Sequence, residues 1–211
     1  MTAWIKTNDL EAIRQALAAD ASLANAEIPW DKGSSLVNAH VLHRICDAVF
    51  NKFITEEQAL AMTKLFLAHG AKVNGNALVR LRDSPLVAAA SLHCDQLGLL
   101  YLNQGADIHH AGCFGGTALH WASWCGRDVL VNRLIEEKAN INMLCDQFGA
   151  TPLFWAVHGH RFGGPVNQHH QVACVQLLLA AGADKTIASK EGYVPLQVLA
   201  EEDTVLRALL Q

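Results

Sequence analysis

Two short markers recur along this chain of 211 residues, always in the same order. The first reads Ser84-Pro85-Leu86, Thr117-Ala118-Leu119-His120, Thr151-Pro152-Leu153-Phe154 and Val194-Pro195-Leu196, with a fainter copy at Val41-Leu42-His43. Its successive leucines stand 33, 34 and 43 residues apart, and the faint copy lies 44 residues before Leu86. The second marker reads Gly70-Ala71-Lys72-Val73-Asn74, Gly105-Ala106-Asp107-Ile108-His109, Lys138-Ala139-Asn140-Ile141-Asn142 and Gly182-Ala183-Asp184. Leu86 to Gly105 and Leu119 to Lys138 are both 19 residues. Two markers held in register at such a period predict stacked supersecondary units, none of which buries its apolar face alone.

The residues between the markers read as helix pairs. Thr117 and Thr151 suit helix N-caps, and Pro85, Pro152 and Pro195 suit a first helical turn, where the missing N–H costs nothing. Helix pairs are therefore expected to start near Val41, Pro85, Ala118, Pro152 and Pro195. The first helix of each pair is rich in small residues (Ala88-Ala89-Ala90, Ala122-Ser123), which allows close stacking. The second is bulkier, with Val175, Leu177, Leu178 and Leu179 in one copy and Val131, Leu134 and Ile135 in another. Gly70, Gly105 and Gly182 stop it in a left-handed conformation. Lys138 takes that place once and is expected to end its helix with some strain or in another cap. Leu119 and Leu153 are expected to be fully buried.

These segments resemble ankyrin repeats, with Thr117-Ala118-Leu119-His120-Trp121-Ala122 as the closest copy of the family signature. The resemblance covers roughly residues 36 to 210. It implies an all-α ankyrin-repeat solenoid of about five repeats including caps, with hairpin fingers between helix pairs. Residues 1–34 would be an N-terminal capping half-repeat and linker, since the stretch from Asp9 to Leu17 looks like a second helix. Residues 35–211 would be the repeat array, closed by a shortened helix over Thr204–Leu210. Two insertions, near residues 46–57 and 158–171, stretch the marker spacing to 28 residues (Leu42 to Gly70) and 29 residues (Leu153 to Gly182). The second holds Gly159, Gly163, Gly164 and Pro165 and is expected to form a surface loop.

Composition narrows the function. Hydrophobic residues make up 51% and charged residues 17%, which suits a buried core rather than a disordered chain. Lys plus Arg number 16 against 20 for Asp plus Glu, a net charge of −4, so the basic field that nucleic acid demands is missing. Six scattered cysteines without a CxxC pair point to reduced thiols and a cytoplasmic setting. The first twenty residues carry Asp9, Glu11 and Asp20 and do not read as a secretory leader, and no stretch reads as membrane-spanning. A monomer with a protein partner and no cofactor is the expectation.

Three sets of residues remain as candidates for chemistry. His158, His160, His169, His170 and Cys174 crowd a His-rich loop at residues 158–174 that would bind a metal or small ligand as the alternative function. His43 and His120 occupy the signature histidine position, which in the family braces adjacent hairpins. No nucleophile-base constellation or phosphate loop is present, so enzyme activity is not expected. Trp121 and Trp155 are expected to pack between repeats. Trp124 is expected to face out from a first helix as a partner anchor, or else to shield the neighbouring insertion. Trp30, Arg80, Arg82, Cys113, Phe114, Phe148 and Tyr193 fall in the fingers. The resemblance implies one concave binding face made of Arg82, Cys113, Phe114, Trp124, Phe148, His158 and Tyr193, serving a protein-protein scaffold or regulator.

Overall fold

The first helices begin where the markers place them. The computed structural model describes residues 1–29, 38–163 and 168–211, and in it α3 (Val41–Phe50), α5 (Pro85–Ser91), α7 (Ala118–Trp124), α9 (Pro152–Phe162) and α11 (Pro195–Val198) open on the expected residues. Trp30, Gly164 and Pro165 and the side chain of His169 lie outside the described residues. Each first helix is followed by a partner: α4 (Glu56–Ala68), α6 (Asp95–Asn103), α8 (Asp128–Glu136), α10 (Gln168–Ala180) and α12 (Thr204–Leu210). Two more helices, α1 (Thr2–Lys6) and α2 (Leu10–Ala19), precede them. Among the described residues the only strands are β1 (Glu27–Ile28) and β2 (Ala39–His40), paired antiparallel.

The caps follow from the residue types. Ser84 Oγ accepts the amide of Val87 at 3.3 Å, and Thr151 Oγ1 accepts that of Phe154 at 3.2 Å, each satisfying an amide that the first turn leaves unpaired. Gly70, Gly105 and Gly182 end the second helices at φ of 86°, 78° and 93°. Lys138 does the same at φ 66°, the strained one of the two endings expected of it.

The chain divides into two compact units, Met1–Val79 with Asp83–Asp107, and Arg80–Arg82 with Ile108–Gln211. In the first, Ile5, Ile13, Leu42, Ile45, Phe66 and Leu97 are fully buried. Tyr101 is buried with them, and its hydroxyl donates to the Leu42 carbonyl at 3.1 Å, the bond that makes a phenol tolerable in an apolar core. In the second unit Leu119 and Leu153 are both 0% exposed, as expected, alongside Leu130, Leu134 and Leu178. Asparagines of the second marker tie repeat to repeat. Asn74 Oδ1 accepts the Asp107 amide at 2.8 Å in the first unit, and Asn142 Oδ1 accepts the Asp184 amide at 2.9 Å in the second.

Parts of both lengthened segments are helix among the described residues, although the second is expected to form a surface loop. Residues 158–162 complete α9, which has 11 residues against 7 in α5 and α7, and α10 has 13 against 9 in α6 and α8. Residues 46–50 likewise complete α3, and Glu56 and Glu57 open α4. Gly159, read from sequence as a loop residue, is instead a contact residue. A Cβ there would stand 2.3 Å from the Trp124 carbonyl oxygen, so only glycine lets α9 approach the end of α7. That same carbonyl accepts Gln171 Nε2 at 2.7 Å, closing an orphan of the α7 C-terminus. No helix among the described residues is long and apolar enough to cross a membrane.

Candidate functional site

Three tryptophans, four phenylalanines, Tyr193 and His158 line a cleft of about 660 Å³ in the second unit. Two structural devices build it. The first is helical periodicity: Phe154, His158 and Phe162 fall on one stripe of α9 at four-residue spacing. The second is the backbone stapling of successive fingertips. The Gln147 amide donates to the Phe114 carbonyl at 3.0 Å, and the Lys190 amide donates to the Phe148 carbonyl at 2.8 Å. Phe114 and Phe148 are thereby set side by side, with ring centroids 5.7 Å apart.

Trp155, 5% exposed, is the centre of the ring cluster. Trp121 lies 5.1 Å from it at 80°, Trp124 lies 6.3 Å from it at 77°, and Phe148 lies 6.1 Å from it at 63°. Such edge-to-face pairs place the positive edge of one ring on the negative face of another. On the far side His158 stacks on Trp124 at 5.0 Å and 28° and touches Phe162 at 4.4 Å.

The electrostatics are simple. The titratable residues lining the cleft are His158, Lys190, Glu191 and Tyr193. Burial holds His158 below the ordinary histidine range while Glu191 pulls it back up, so the ring is neutral near pH 7. The Lys190 ammonium donates to the Asp146 carbonyl, and Asp146 also takes the Arg80 guanidinium. Two polar atoms of the cleft residues, Trp121 Nε1 and His158 Nδ1, are buried without a hydrogen-bond partner among the described residues. Behind the cleft His120 performs the bracing role expected of it. The Thr117 amide donates to its Nδ1 at 3.1 Å, so Nε2 carries the proton and donates to the carbonyls of Met143 (3.1 Å) and Ala150 (3.2 Å). Burial lowers its pKa to about 4.

The structure brings Phe114, Trp124, Phe148, His158 and Tyr193 together as the sequence strip implies, and places Arg82 and Cys113 outside the described lining. Arg82 is exposed in its finger, its carbonyl accepting His110 Nε2 at 2.7 Å, and Cys113 is half-buried in the turn that carries Phe114. Trp124 is half-buried rather than standing free, because the extension of α9 supplies His158 as a stacking partner. Trp121 and Trp155, read as packing residues, are also cleft walls, and Phe154, Phe162 and Glu191 were not singled out at all. The four-residue spacing of Phe154, His158 and Phe162 is the signal that would have found two of them, had the segment been read as helix. Among the described residues His158, His160 and His170 do not converge on one point. His160 Nε2 faces Asp203 Oδ1 at 3.1 Å and His170 Nδ1 faces Asp128 Oδ1 at 3.1 Å, and no group able to hold a metal stands among the described residues.

A family model of three ankyrin repeats matches residues 86–163, and a single-repeat model matches residues 148–190. With the helix pairs, the left-handed stops and the bracing His120 in place, these matches decide the family. The chain is an ankyrin-repeat protein. It is similar to the palmitoyltransferase Hip14 of Drosophila melanogaster, 31% identical over 91 residues, 43% of this chain and 13% of that protein. It is also similar to the human BCL-6 corepressor-like protein 1, 36% identical over 138 residues, 65% of this chain and 7% of that protein. The chain thus spans a small part of the length of these relatives. Ankyrin repeats are generally protein-interaction modules, and both family matches extend over residues of the aromatic cleft.

Proposed function

We propose that this ankyrin-repeat protein is a non-enzymatic interaction module that holds a protein partner in the aromatic cleft of its second unit. The observation that carries the reading is Phe114. It sits at φ 60° and ψ 9°, a region that bulky residues leave to glycine or asparagine, and its ring is still 39% exposed at the cleft. Its ring meets Trp121 and Phe148 yet stays open to solvent, and strained outliers of this kind collect where a surface has work to do. Tyr193 and Phe148 reinforce it at 52% and 43% exposure, since aromatic side chains supply most hot-spot energy. The stapled fingertips hold these rings in place before a partner arrives, so little side-chain entropy is lost on docking. The lining pairs no nucleophile with a base, and its histidine is stacked between apolar rings.

The test compares the intact chain with a Phe114→Gly, Tyr193→Ser double variant by cross-linking and mass spectrometry. Partners bound through the cleft are expected to be lost from the variant while its melting temperature holds. An unchanged partner set in a folded variant moves the interface elsewhere.

A further inference from the structure

The insertion in the first unit, near residues 46–57, builds a tip. There α3 has 10 residues against 7 in α5, and α4 has 13 against 9 in α6. The marker ends of these helices stay in register. α3 and α5 open one residue before Leu42 and Leu86, and α4 and α6 end two residues before Gly70 and Gly105. All the added length therefore lies at the α3–α4 turn, which at about 1.5 Å per residue extends roughly one helical turn further than its α5–α6 counterpart. Phe50, Asn51, Lys52 and Phe53 are exposed in succession there, the two rings at 52% and 51%, with Ile54 buried behind them. Lys52 is left-handed at φ 60°, in the place where such helix endings favour glycine. A strained lysine that glycine would relieve points to a use for its side chain.

The tip can leave water at low cost. The amide of Asn51 donates to the Asp47 carbonyl at 3.0 Å, that of Lys52 to Val49 at 2.9 Å and that of Phe53 to Ala48 at 2.9 Å. Ile54 shares the Ala48 carbonyl, and the Thr55 amide donates to Gln58 Oε1 at 2.9 Å, so none of these N–H groups is stranded in an apolar surrounding. The nearest carboxylates are drawn inward. Asp47 takes the Arg44 guanidinium at 2.7 Å, and Glu56 Oε1 accepts the amides of Gln96 and Leu97 at 2.6 and 3.2 Å. Lys52 stands in the turn itself, Lys6 Nζ lies 5.1 Å from the Phe53 ring centroid, and exposed Glu57 is the opposing charge. Two half-exposed phenylalanines offer on the order of 200 Å², far below the roughly 1,200 Å² that a specific protein interface buries. A lipid surface needs no such area or matching groove, only apolar side chains at headgroup depth with cations beside them. We propose that the α3–α4 turn docks on an anionic lipid surface, with Phe50 and Phe53 entering the headgroup region and Lys52 and Lys6 facing its negative groups. The proposal rests on the first unit alone and does not depend on the reading of the cleft.

The experiment sediments the full chain with vesicles of phosphatidylcholine alone and of phosphatidylcholine with about 30% phosphatidylserine. Association with the anionic vesicles is expected to be severalfold greater and to fall as salt screens the lysines. A Phe50→Ser, Phe53→Ser variant is expected to lose association roughly tenfold on the anionic vesicles. Lys52→Gly removes the charge and the left-handed strain together, so it stays folded and isolates the electrostatic part. It is expected to reduce association with the anionic vesicles severalfold and to leave association with the neutral ones unchanged. Absence of association with either vesicle overturns the inference, as does equal association with both. Association that survives both variants places the lipid contact elsewhere and overturns it too. A protein partner lost from the phenylalanine variant, with no vesicle association in the parent, assigns the tip to a protein and overturns the lipid surface.

Discussion

One column of the repeat is used in opposite ways by the two units. The residue two places after the marker leucine is Arg44 or Ala88 in the first unit and Trp121, Trp155 or Val198 in the second. Ala88 is 0% exposed and leaves no gap. Arg44 is 8% exposed and turned inward, with Nε donating to the Ile28 carbonyl at 3.0 Å and a terminal nitrogen donating to Asp47 at 2.7 Å. The first unit therefore closes this column with backbone, carboxylate and a methyl group. In the second unit Trp155 is buried and Trp121 half-buried, their rings 5.1 Å apart at 80°, and both line the cleft. The repeat specifies the helix pair; the residue in this column decides whether the pair ends in core or in working surface.

The largest effects should come from the residues that both units bury. Leu153→Ala is expected to cost about 2–5 kcal/mol, and Trp155→Ala about 3–5 kcal/mol, in chemical denaturation. Trp121→Ala, at a half-buried member of the same column, should cost clearly less. If Trp155→Ala proved nearly neutral, its ring would be a free wall and the distinction between core and surface within the column would fail.

Next in size is the pH dependence, which both units share. His120 and His40 are each held near pKa about 4 by burial, against 6.5 for an exposed histidine. Between those values the unfolded chain takes up a proton that the folded ring refuses. Stability is therefore complete above pH 6.5 and falls as pH drops towards 4, by on the order of 3 kcal/mol for the fully buried His120. His120→Gln should flatten that slope without dismantling the turn. The chain already uses glutamine in this role, Gln197 Oε1 accepting the Val194 amide at 2.8 Å. An unchanged pH profile in the variant would place the titration elsewhere.

A smaller effect isolates the approach of α9 to α7. Gly159→Ala puts a methyl group 2.3 Å from the Trp124 carbonyl oxygen, which must retreat and weaken its bond from Gln171. The expected cost is about 1–3 kcal/mol, with a shift in tryptophan emission because Trp124 moves with its backbone. A neutral substitution would mean that the helices separate freely and that the cleft wall is soft.

Sequence and structure agree wherever the physics is local. Prolines, Ser84 and Thr151 at helix starts and left-handed residues at helix ends are short-range requirements, so the five first helices were legible from residue types and repeat register, and of the two endings open to the helix before Lys138 the structure takes the strained one. The lengths of α9 and α3 were not. Glycine reads as a breaker along the chain, and Gly159 reveals its purpose only when the Trp124 carbonyl is brought against it from 35 residues away. The strip of fingertip aromatics was legible because repeat register places equivalent residues side by side. That Trp155 would be both core and wall, and that Glu191 would share the cleft with it, depended on ring angles that no periodicity encodes.

The smallest effect on folding is expected at the fingertips, and it separates strain from function. Leu81 and Phe114 occupy the same fingertip position, both left-handed at φ 68° and 60°, and both exposed at 54% and 39%. Replacing either with glycine removes the steric clash of a Cβ in that region, worth about 1–3 kcal/mol, and adds backbone entropy to the unfolded chain, worth about 0.5–1 kcal/mol. The lost ring contact of Phe114 with Trp121 at 5.9 Å takes back part of the gain. Both variants should thus melt within a few degrees of the parent. They should differ in binding, since Phe114 lines the cleft and Leu81 is not among the residues described there. Loss of capture with Phe114→Gly alone would tie the strain to the docking surface. Equal loss in both would spread the interface along the fingers, and a Phe114→Gly variant that unfolds would make the ring a packing residue after all.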